Sequence, residues 1–285
     1  MARLREVPFV KGHGTGNDFV ILPDLECRLA LSDDDIRWLC DRRRGLGADG
    51  VLRVVKASAM PGFGGQAEYA DYFMDHRNGD GSVAEMCGNG ARVFVRYLDA
   101  VGLITDNETA IGTRAGVLPV VIGRDDAGEI QITIAMGQAS PLEGSPEVSA
   151  NDHTWQAIGV HLPNPHAIAF VDSLDEAGAL LNAPEVSPAA MFPEGANVEF
   201  VVSRGHRHLA MRVHERGVGE TLSCGTGACA VAWAARRHFE PESVGATTWR
   251  VDVPGGSLTV TESADGQFSL TGPASLVARG TVLLP

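Results

Sequence analysis

The sequence predicts an α+β protein built as a duplicated domain, each copy wrapping antiparallel strands around one central helix. Three observations carry this expectation. The 285 residues correspond to roughly 1.9 domains at about 150 residues apiece. Short strand-like runs alternate with glycine-rich turns, and only three segments read as helices. The string C-G-x-G-A occurs at Cys87 and again at Cys224, 137 residues apart, close to half the chain length. Both copies follow a strand-rich stretch and open an apolar helix.

Taken in order, PFVKGHG, NDFVILPD, DGVLRVV and AEYADYFM read as strands, each about 4 to 8 residues with β-branched or aromatic content. A helix is expected over 32–42: Ser32 caps it, Asp33 to Asp35 suit its positive end, and Ile36, Leu39 and Cys40 share a face. A second begins just after Cys87 and runs to about 101, with Phe94, Leu98 and Val101 on one stripe, until Gly102 stops it. TRAGVLPVVI and EIQITIAM follow as strands, with a linker expected near 123–128. The second half repeats the plan: AIAFVD, NVEFVV and LAMRVHER, a glycine turn, and a helix over about 227–238. That helix, ACAVAWAARRH, is apolar nearly all round until its basic end and belongs in the centre of its domain. PGGSLTVTE and QFSLTG complete the copy.

Composition removes several function classes. A net charge of −13 and a pI near 5.1 repel phosphate backbones and anionic headgroups, so neither nucleic acid nor membrane is an expected partner. The basic run Arg42 to Arg44 reads as a solvated helix end. No stretch approaches the roughly 20 apolar residues of a membrane span. The opening MARLREVPFVKG carries charge where a signal peptide has its apolar region, so a cytoplasmic location is expected. Five cysteines, an odd number, argue against a disulfide framework and for reduced thiols. Only Lys11 and Lys56 are lysines, and neither has the context of a pyridoxal-phosphate Schiff base.

A helix N-terminus directs unpaired N–H groups and partial positive charge outward, and glycines there let a ligand approach the backbone. A cysteine at that position is expected to have its thiolate stabilised and its pKa lowered. The same amides can receive a substrate carboxylate, or the charge that grows on it when the adjacent carbon loses a proton. One such cysteine is ordinarily a small buried hydrophobe. Two in equivalent positions of a repeat fit inversion at carbon, one thiolate removing a proton from one face while the other thiol delivers a proton from the opposite face. Reacting pairs about 3 to 3.5 Å apart would put the sulfurs roughly 6 to 7 Å from one another. Each acid or base step contributes about 10² to 10⁴ in rate.

The strings HGTGNDF (13–19), RRGLGADG (43–50), RNGDGSVAEMCGNGAR (77–92), PNPH (163–166), GANVEF (195–200) and HERGVGETLSCGTGAC (214–229), with the tail GPASLVARG (272–280), resemble those of the diaminopimelate epimerase family. The resemblance implies two pseudo-symmetric domains, each an antiparallel β-barrel-like sheet around a central helix: 1–124 completed by the last strand 275–285, and 125–274. It implies a homodimeric epimerase that needs no cofactor or metal and interconverts LL- and meso-diaminopimelate, a small-molecule substrate, by a two-thiol mechanism. Cys87 and Cys224 then form the base and acid pair, and Glu215 and His166 tune or exchange protons with them. Asn17, Asn78, Asn164, Asn197, Glu215 and Arg216 match substrate contacts, while the backbones of Gly88, Asn89, Gly225 and Thr226 hold the reacting carboxylate. Asparagine both donates and accepts, and arginine grips a carboxylate bidentately, as a two-headed amino acid requires.

Three departures from the family pattern are visible. Gly50 stands where some members have Gln, Pro163 replaces a commoner Gly, and MPGFGGQAEY (60–69) lengthens a loop. Other readings stay open at this level: a proline-racemase-type enzyme using paired cysteines, a thiol redox protein, which would usually show C-x-x-C, and a non-catalytic carboxylate-binding module. The stretch from Gly45 to Gly50 matches G-x-G-x-x-G, but the strand and helix that a dinucleotide site requires are reversed around it. Cys224 and Cys229 lack paired ligands for zinc. Cys229 reads as core, and His206 and His208 as solvated turn residues.

Overall fold

The computed structural model describes residues 5–285. It divides into two compact units, one of residues up to Ile134 together with Pro273–Pro285, the other Ala135–Gly272. The expected linker at 123–128 is a hairpin turn in which Asp125 Oδ1 accepts from the amides of Ala127 and Glu129 at 3.0 and 2.9 Å. The division falls inside the next strand.

The first unit comprises β1 (Arg5–Gly14), β2 (Asn17–Pro23), α1 (Asp33–Cys40), β3 (Gly50–Lys56), β4 (Tyr72–Asn78), α2 (Gly88–Ala100), β5 (Glu108–Thr113), β6 (Gly116–Arg124) and the start of β7 (Ile130–Gln138). The second contains the end of β7, then β8 (Ser140–Pro141), β9 (Glu147–Ala150), β10 (His153–His161), β11 (Pro165–Phe170), β12 (Glu185–Ser187), β13 (Asn197–Gly205), β14 (His208–Glu215), β15 (Gly219–Thr221), α3 (Gly225–Phe239), β16 (Thr247–Val253), β17 (Gly256–Glu262) and β18 (Gln267–Pro273). The chain then returns to the first unit as β19 (Ser275–Leu284), antiparallel to β1 with Arg5 opposite Leu284.

The strand pairs are mostly antiparallel, as expected, with four parallel pairs among the described residues. β2 runs parallel to β3 and β4 to β5; in the second unit β11 runs parallel to β13 and β14 to β16. Parallel neighbours need a long crossover, usually a helix, and the sequence supplies one for three of the four pairs, α1 between β2 and β3, α2 between β4 and β5 and α3 between β14 and β16, while β11 and β13 are joined by a long segment that carries the short strand β12.

Ser32 and Asp35 form a reciprocal capping box at α1, and Ile36, Leu39 and Cys40 pack into a core with Val7, Val20, Leu22, Val51 and Leu284. α2 lies against β1, β2, β3, β4 and β19, and buries Val93, Phe94, Val95 and Leu98 completely. Truncating Phe94 to alanine would cost about 3–5 kcal/mol. α3 lies against β10, β11, β13, β16 and β17 through Ala228, Cys229, Ala230, Val231, Ala234 and Ala235. Its small side chains let strands approach on several sides, which is why the segment carries no polar face. Among the described residues no helix is long and apolar enough to cross a membrane.

Candidate active site

In the first unit Cys87 is extended (φ −143°, ψ 121°) and caps α2, its sulfur accepting from the Gly90 amide at 3.4 Å. The β1–β2 turn passes through Thr15 and Gly16, both at positive φ, and brings Asn17 to the thiol. Asn17 Oδ1 lies 3.8 Å from Cys87 Sγ and accepts from Asn89 Nδ2 at 3.3 Å. The completely buried Arg92 donates to Thr15 Oγ1 at 3.1 Å, Asn89 Oδ1 at 3.0 Å and the Pro273 carbonyl at 3.4 Å. It thereby ties the hairpin, the helix entrance and the returning strand together. Asn78, at the end of β4, donates to Ser82 Oγ at 3.0 Å.

The second unit repeats the cap. Cys224 (φ −123°, ψ 116°) accepts from the Gly227 amide at 3.4 Å, and Thr226 Oγ1 lies 3.4 Å from the same sulfur. What surrounds the thiol is different. The Glu215 carboxyl lies close enough for its charge to act on Cys224, and it accepts from the Thr221 hydroxyl. His166 Nδ1 is 2.6 Å from Glu199 Oε1, and Nε2 is 2.9 Å from Asn164 Oδ1; His166 and Glu199 have no exposed side-chain surface. Asn197 Oδ1 accepts from the Arg216 amide at 2.9 Å. The Arg216 guanidinium is partly exposed and lies 3.4 Å from the exposed Glu194 carboxylate and from that residue's carbonyl.

Strand register explains the asymmetry. In the first unit Phe19 lies opposite Gly50 and Ile21 opposite Leu52; in the second His166 lies opposite Asn197 and Ile168 opposite Glu199. His166 and Glu199 therefore occupy the places of Phe19 and Leu52, so one helix entrance rests on apolar side chains and the other on an acid–histidine pair. The glycines make room for it: a Cβ on Gly227 would lie 2.7 Å from Glu199 Oε1 and 3.3 Å from Cys224 Sγ.

This setting overturns the expectation of a lowered thiol pKa at Cys224. Burial pushes that thiol well up, and the carboxylates of Glu215 and Glu199 push it further; the Thr226 hydroxyl and Gly227 amide pull only partly back. A helix N-terminus contributes only a fraction of a charge, less than two nearby carboxylates. Glu215 is itself raised by burial, and further by Glu199, against the bond from Thr221. Cys224 thus holds its proton, with an acceptor carboxylate nearby.

The model of the diaminopimelate epimerase family matches residues 9–142 and 159–277. The chain belongs to the diaminopimelate epimerase family. It is 53% identical to the diaminopimelate epimerase of Streptomyces coelicolor over 277 residues, 96% of this chain and 94% of that one. It is 47% identical to that of Rhodococcus jostii over 96% of both chains. Among solved structures, a Bacillus anthracis phenazine biosynthesis protein of the PhzF family superposes with a TM-score of 0.75 at 18% identity, covering 98% of this chain and 99% of that one. A hydroxyproline epimerase from Agrobacterium vitis gives 0.66 at 14% identity, covering 98% and 93%. The fold is thus shared with these proteins, while sequence identity places the chain among the diaminopimelate epimerases.

Within each unit of this family member, most residues singled out from sequence gather at the helix entrances, Asn17, Gly88 and Asn89 at Cys87, and Asn164, His166, Asn197, Glu215, Gly225 and Thr226 on the Cys224 side, while Asn78 bonds Ser82 and the Arg216 guanidinium meets Glu194. His166 bonds Glu199 and Asn164 rather than a thiol. Gly50, the departure from the family pattern, has a steric cause: a Cβ there would lie 2.7 Å from the Arg77 carbonyl and 3.2 Å from His76 Nε2. The lengthened 60–69 loop is anchored by Gln66, whose side chain bonds both backbone groups of Thr113, at 2.9 and 3.1 Å. His208 is not merely solvated, since Nε2 lies 2.6 Å from Asp252 Oδ2. Nor is Arg42, which binds Asp18 and Asp49 at 2.7 and 2.8 Å. Sequence reasoning missed Arg92 and Glu199. Their signal was a lone charge in an apolar run, Arg92 within GARVFV and Glu199 within NVEFVV, since burying a charge needs a paired and hydrogen-bonded environment.

Proposed function

We propose that this chain interconverts LL-2,6-diaminopimelate and meso-2,6-diaminopimelate, in lysine and cell-wall precursor biosynthesis, with Cys87 and Cys224 as the base and acid pair and no cofactor. The observation that carries the reading is the matched pair of thiols, each capping a glycine-opened helix N-terminus. One sulfur, as thiolate, takes the proton from Cα and becomes a thiol. The carbanion charge spreads into the substrate carboxylate, where amides of a helix N-terminus oppose it. The other thiol protonates Cα from the opposite face and becomes the thiolate. In the reverse direction the roles exchange.

The high proton affinity of Cys224 supports it as the donor at rest, with Glu215 receiving or returning its proton as the cycle turns. Nearby, Glu199 raises and His166 lowers the proton affinity of that carboxyl. Asn197 Nδ2, buried and without a partner among the described residues, and the lightly held Arg216 guanidinium supply donors for the substrate's carboxylates. Asn17, Asn78 and Asn164 supply contacts to its amino-acid heads. Free thiols fit a reducing cytoplasm, and the homodimer rests on the resemblance.

The test is conversion of purified LL-diaminopimelate, followed by chiral chromatography under reducing conditions with a chelator present. Approach to a mixture of LL and meso forms is expected from the wild type, with none from Cys87→Ala or Cys224→Ala. Lack of conversion by the wild type would reject the reading, and so would near-normal turnover by either variant.

A further inference from the structure

The glycine loop between α1 and β3 matches a nucleotide motif that it does not serve, and its geometry gives it another task. It is packed hard against α1: a Cβ on Gly45 would lie 1.8 Å from the Trp38 carbonyl oxygen, and Gly47 is at φ +72° against Arg42. The Asp49 amide donates to the Asp18 carbonyl at 2.9 Å, and the Asp49 carbonyl accepts from the Gly79 amide at 2.9 Å. So fixed, the Asp49 side chain presents Oδ1 to Arg42 Nη2 at 2.8 Å, and Oδ2 to the Asp18 amide at 3.0 Å and to Asn17 Nδ2 at 2.7 Å.

That last bond, with the weaker 3.3 Å donation from Asn89 Nδ2 to Asn17 Oδ1 on the other side, sets which way the Asn17 amide faces. A carboxylate only accepts, so Asn17 must turn its NH2 toward Asp49 and its carbonyl oxygen toward Cys87 Sγ and Asn89 Nδ2. An amide oxygen beside sulfur accepts from the thiol and favours it, whereas an amide NH2 in that place would donate to the thiolate and favour that instead. We propose that Asp49 is a positioning residue that sets the proton affinity of the Cys87 thiol by locking the orientation of the Asn17 amide. The proposal takes from the previous section only that Cys87 is a reacting thiol.

Other charged groups facing this corner are Lys11, which bonds Asp18 Oδ2 at 2.6 Å and the Gly47 carbonyl, Arg42 and Asp18 themselves, and, from α2, the buried Arg92, which bonds Asn89 Oδ1 at 3.0 Å. Removing the Asp49 charge would also favour a thiolate through space. The experiment must therefore separate an effect relayed by Asn17 from one of charge alone.

The test is a double-mutant cycle on the pH midpoint of Cys87 alkylation by iodoacetamide, read by mass spectrometry of the Cys87 peptide in the full chain, for wild type, Asp49→Asn, Asn17→Ala and the double variant. With Asn17 present, Asp49→Asn releases the amide, and the midpoint falls by about one pH unit, the worth of one hydrogen bond changing sides. In the Asn17→Ala background the same substitution moves it by less than about a third of that. Equal shifts in both backgrounds would reduce Asp49 to a through-space charge, and no shift in either would remove it from the site; either result overturns the proposal. A general loosening of the loop lowers Tm without moving the midpoint. Alkylation reads the thiol whether or not the chain turns over diaminopimelate, so failure here and failure of the proposed reaction are told apart.

Discussion

The two helix entrances share a motif but differ in what lies behind them, and a pair of single substitutions turns that difference into a measurement. Gly90 and Gly227 are the same position of C-G-x-G-A. A methyl group on Gly90 would meet Leu52, Phe19 and the Cys87 Cβ at 3.4 to 3.6 Å, ordinary contact; on Gly227 it would meet Glu199 Oε1 at 2.7 Å and Cys224 Sγ at 3.3 Å. Replacing a helical glycine by alanine gains up to about 1 kcal/mol of helix propensity at either site. At Gly227 this is opposed by overpacking of about 1–3 kcal/mol, because Glu199 is held by His166 and has no free direction in which to retreat. Gly90→Ala should therefore be neutral or slightly stabilising. Gly227→Ala should be less stable than Gly90→Ala by roughly 1–3 kcal/mol, or about 2–12 °C in Tm at 2–4 °C per kcal/mol. Activity should separate them further, since displacing a reacting group by the order of 1 Å can cost about 100-fold. Differential scanning calorimetry and a turnover assay on both variants check this. Indistinguishable Tm and turnover would refute the claim that Glu199 is packed against the entrance of α3.

Further outcomes follow from charge and burial. Because burial and the two acids raise the Cys224 thiol, its alkylation should accelerate only toward alkaline pH, and Glu215→Gln should move the midpoint down; an unchanged midpoint would contradict the influence of that charge. Glu215 is raised in the fold, so the folded state binds its proton more tightly, and stability falls as pH climbs from the ordinary glutamate range through the raised value. Glu215→Gln should flatten that slope in a pH series of urea titrations. Asp18 behaves oppositely: burial raises its carboxyl, but hydrogen bonds from Arg42 and Lys11 outweigh this and hold it at about 2. Its stabilising contribution is present above the unfolded value and is lost as pH falls toward 2, and carboxyl NMR titration reads that directly. Arg92→Met should destabilise, because it takes the donor away from Thr15 Oγ1, Asn89 Oδ1 and the Pro273 carbonyl, and a buried acceptor left unsatisfied costs about 1–3 kcal/mol, with a Tm loss that Arg92→Lys only partly restores.

Much of this was legible in the chain. The two helix entrances were readable because glycine and cysteine recur there at fixed spacing, and α1 because its capping box and acidic first turn are local. The parallel strand pairs were not, since an alternating run does not specify the direction of its neighbour; the helices interposed between β2 and β3, β4 and β5, and β14 and β16 are the local hint, and β11 and β13 lack even that. At the site, family strings located His166 and Glu215, yet could not give their partners. Glu199 reaches His166 through a parallel register spanning more than thirty residues of sequence, and Asp49 reaches Asn17 across the α1 crossover. The lowered thiol pKa was a sound inference from the helix end alone, and it failed at Cys224 because carboxylates brought by β13 and β14 outweigh the helix.

The central claim is that two thiols exchange the α-proton of diaminopimelate with solvent, and proton NMR of LL-diaminopimelate incubated with the reduced protein in heavy water tests it most directly. The account predicts deuterium at the inverted α-carbon of the meso product, with incorporation abolished along with epimerisation in Cys87→Ala. Product that keeps its α-protium would contradict exchange between solvent-equilibrated thiols, and a wild type that neither isomerises nor exchanges would contradict the account as a whole.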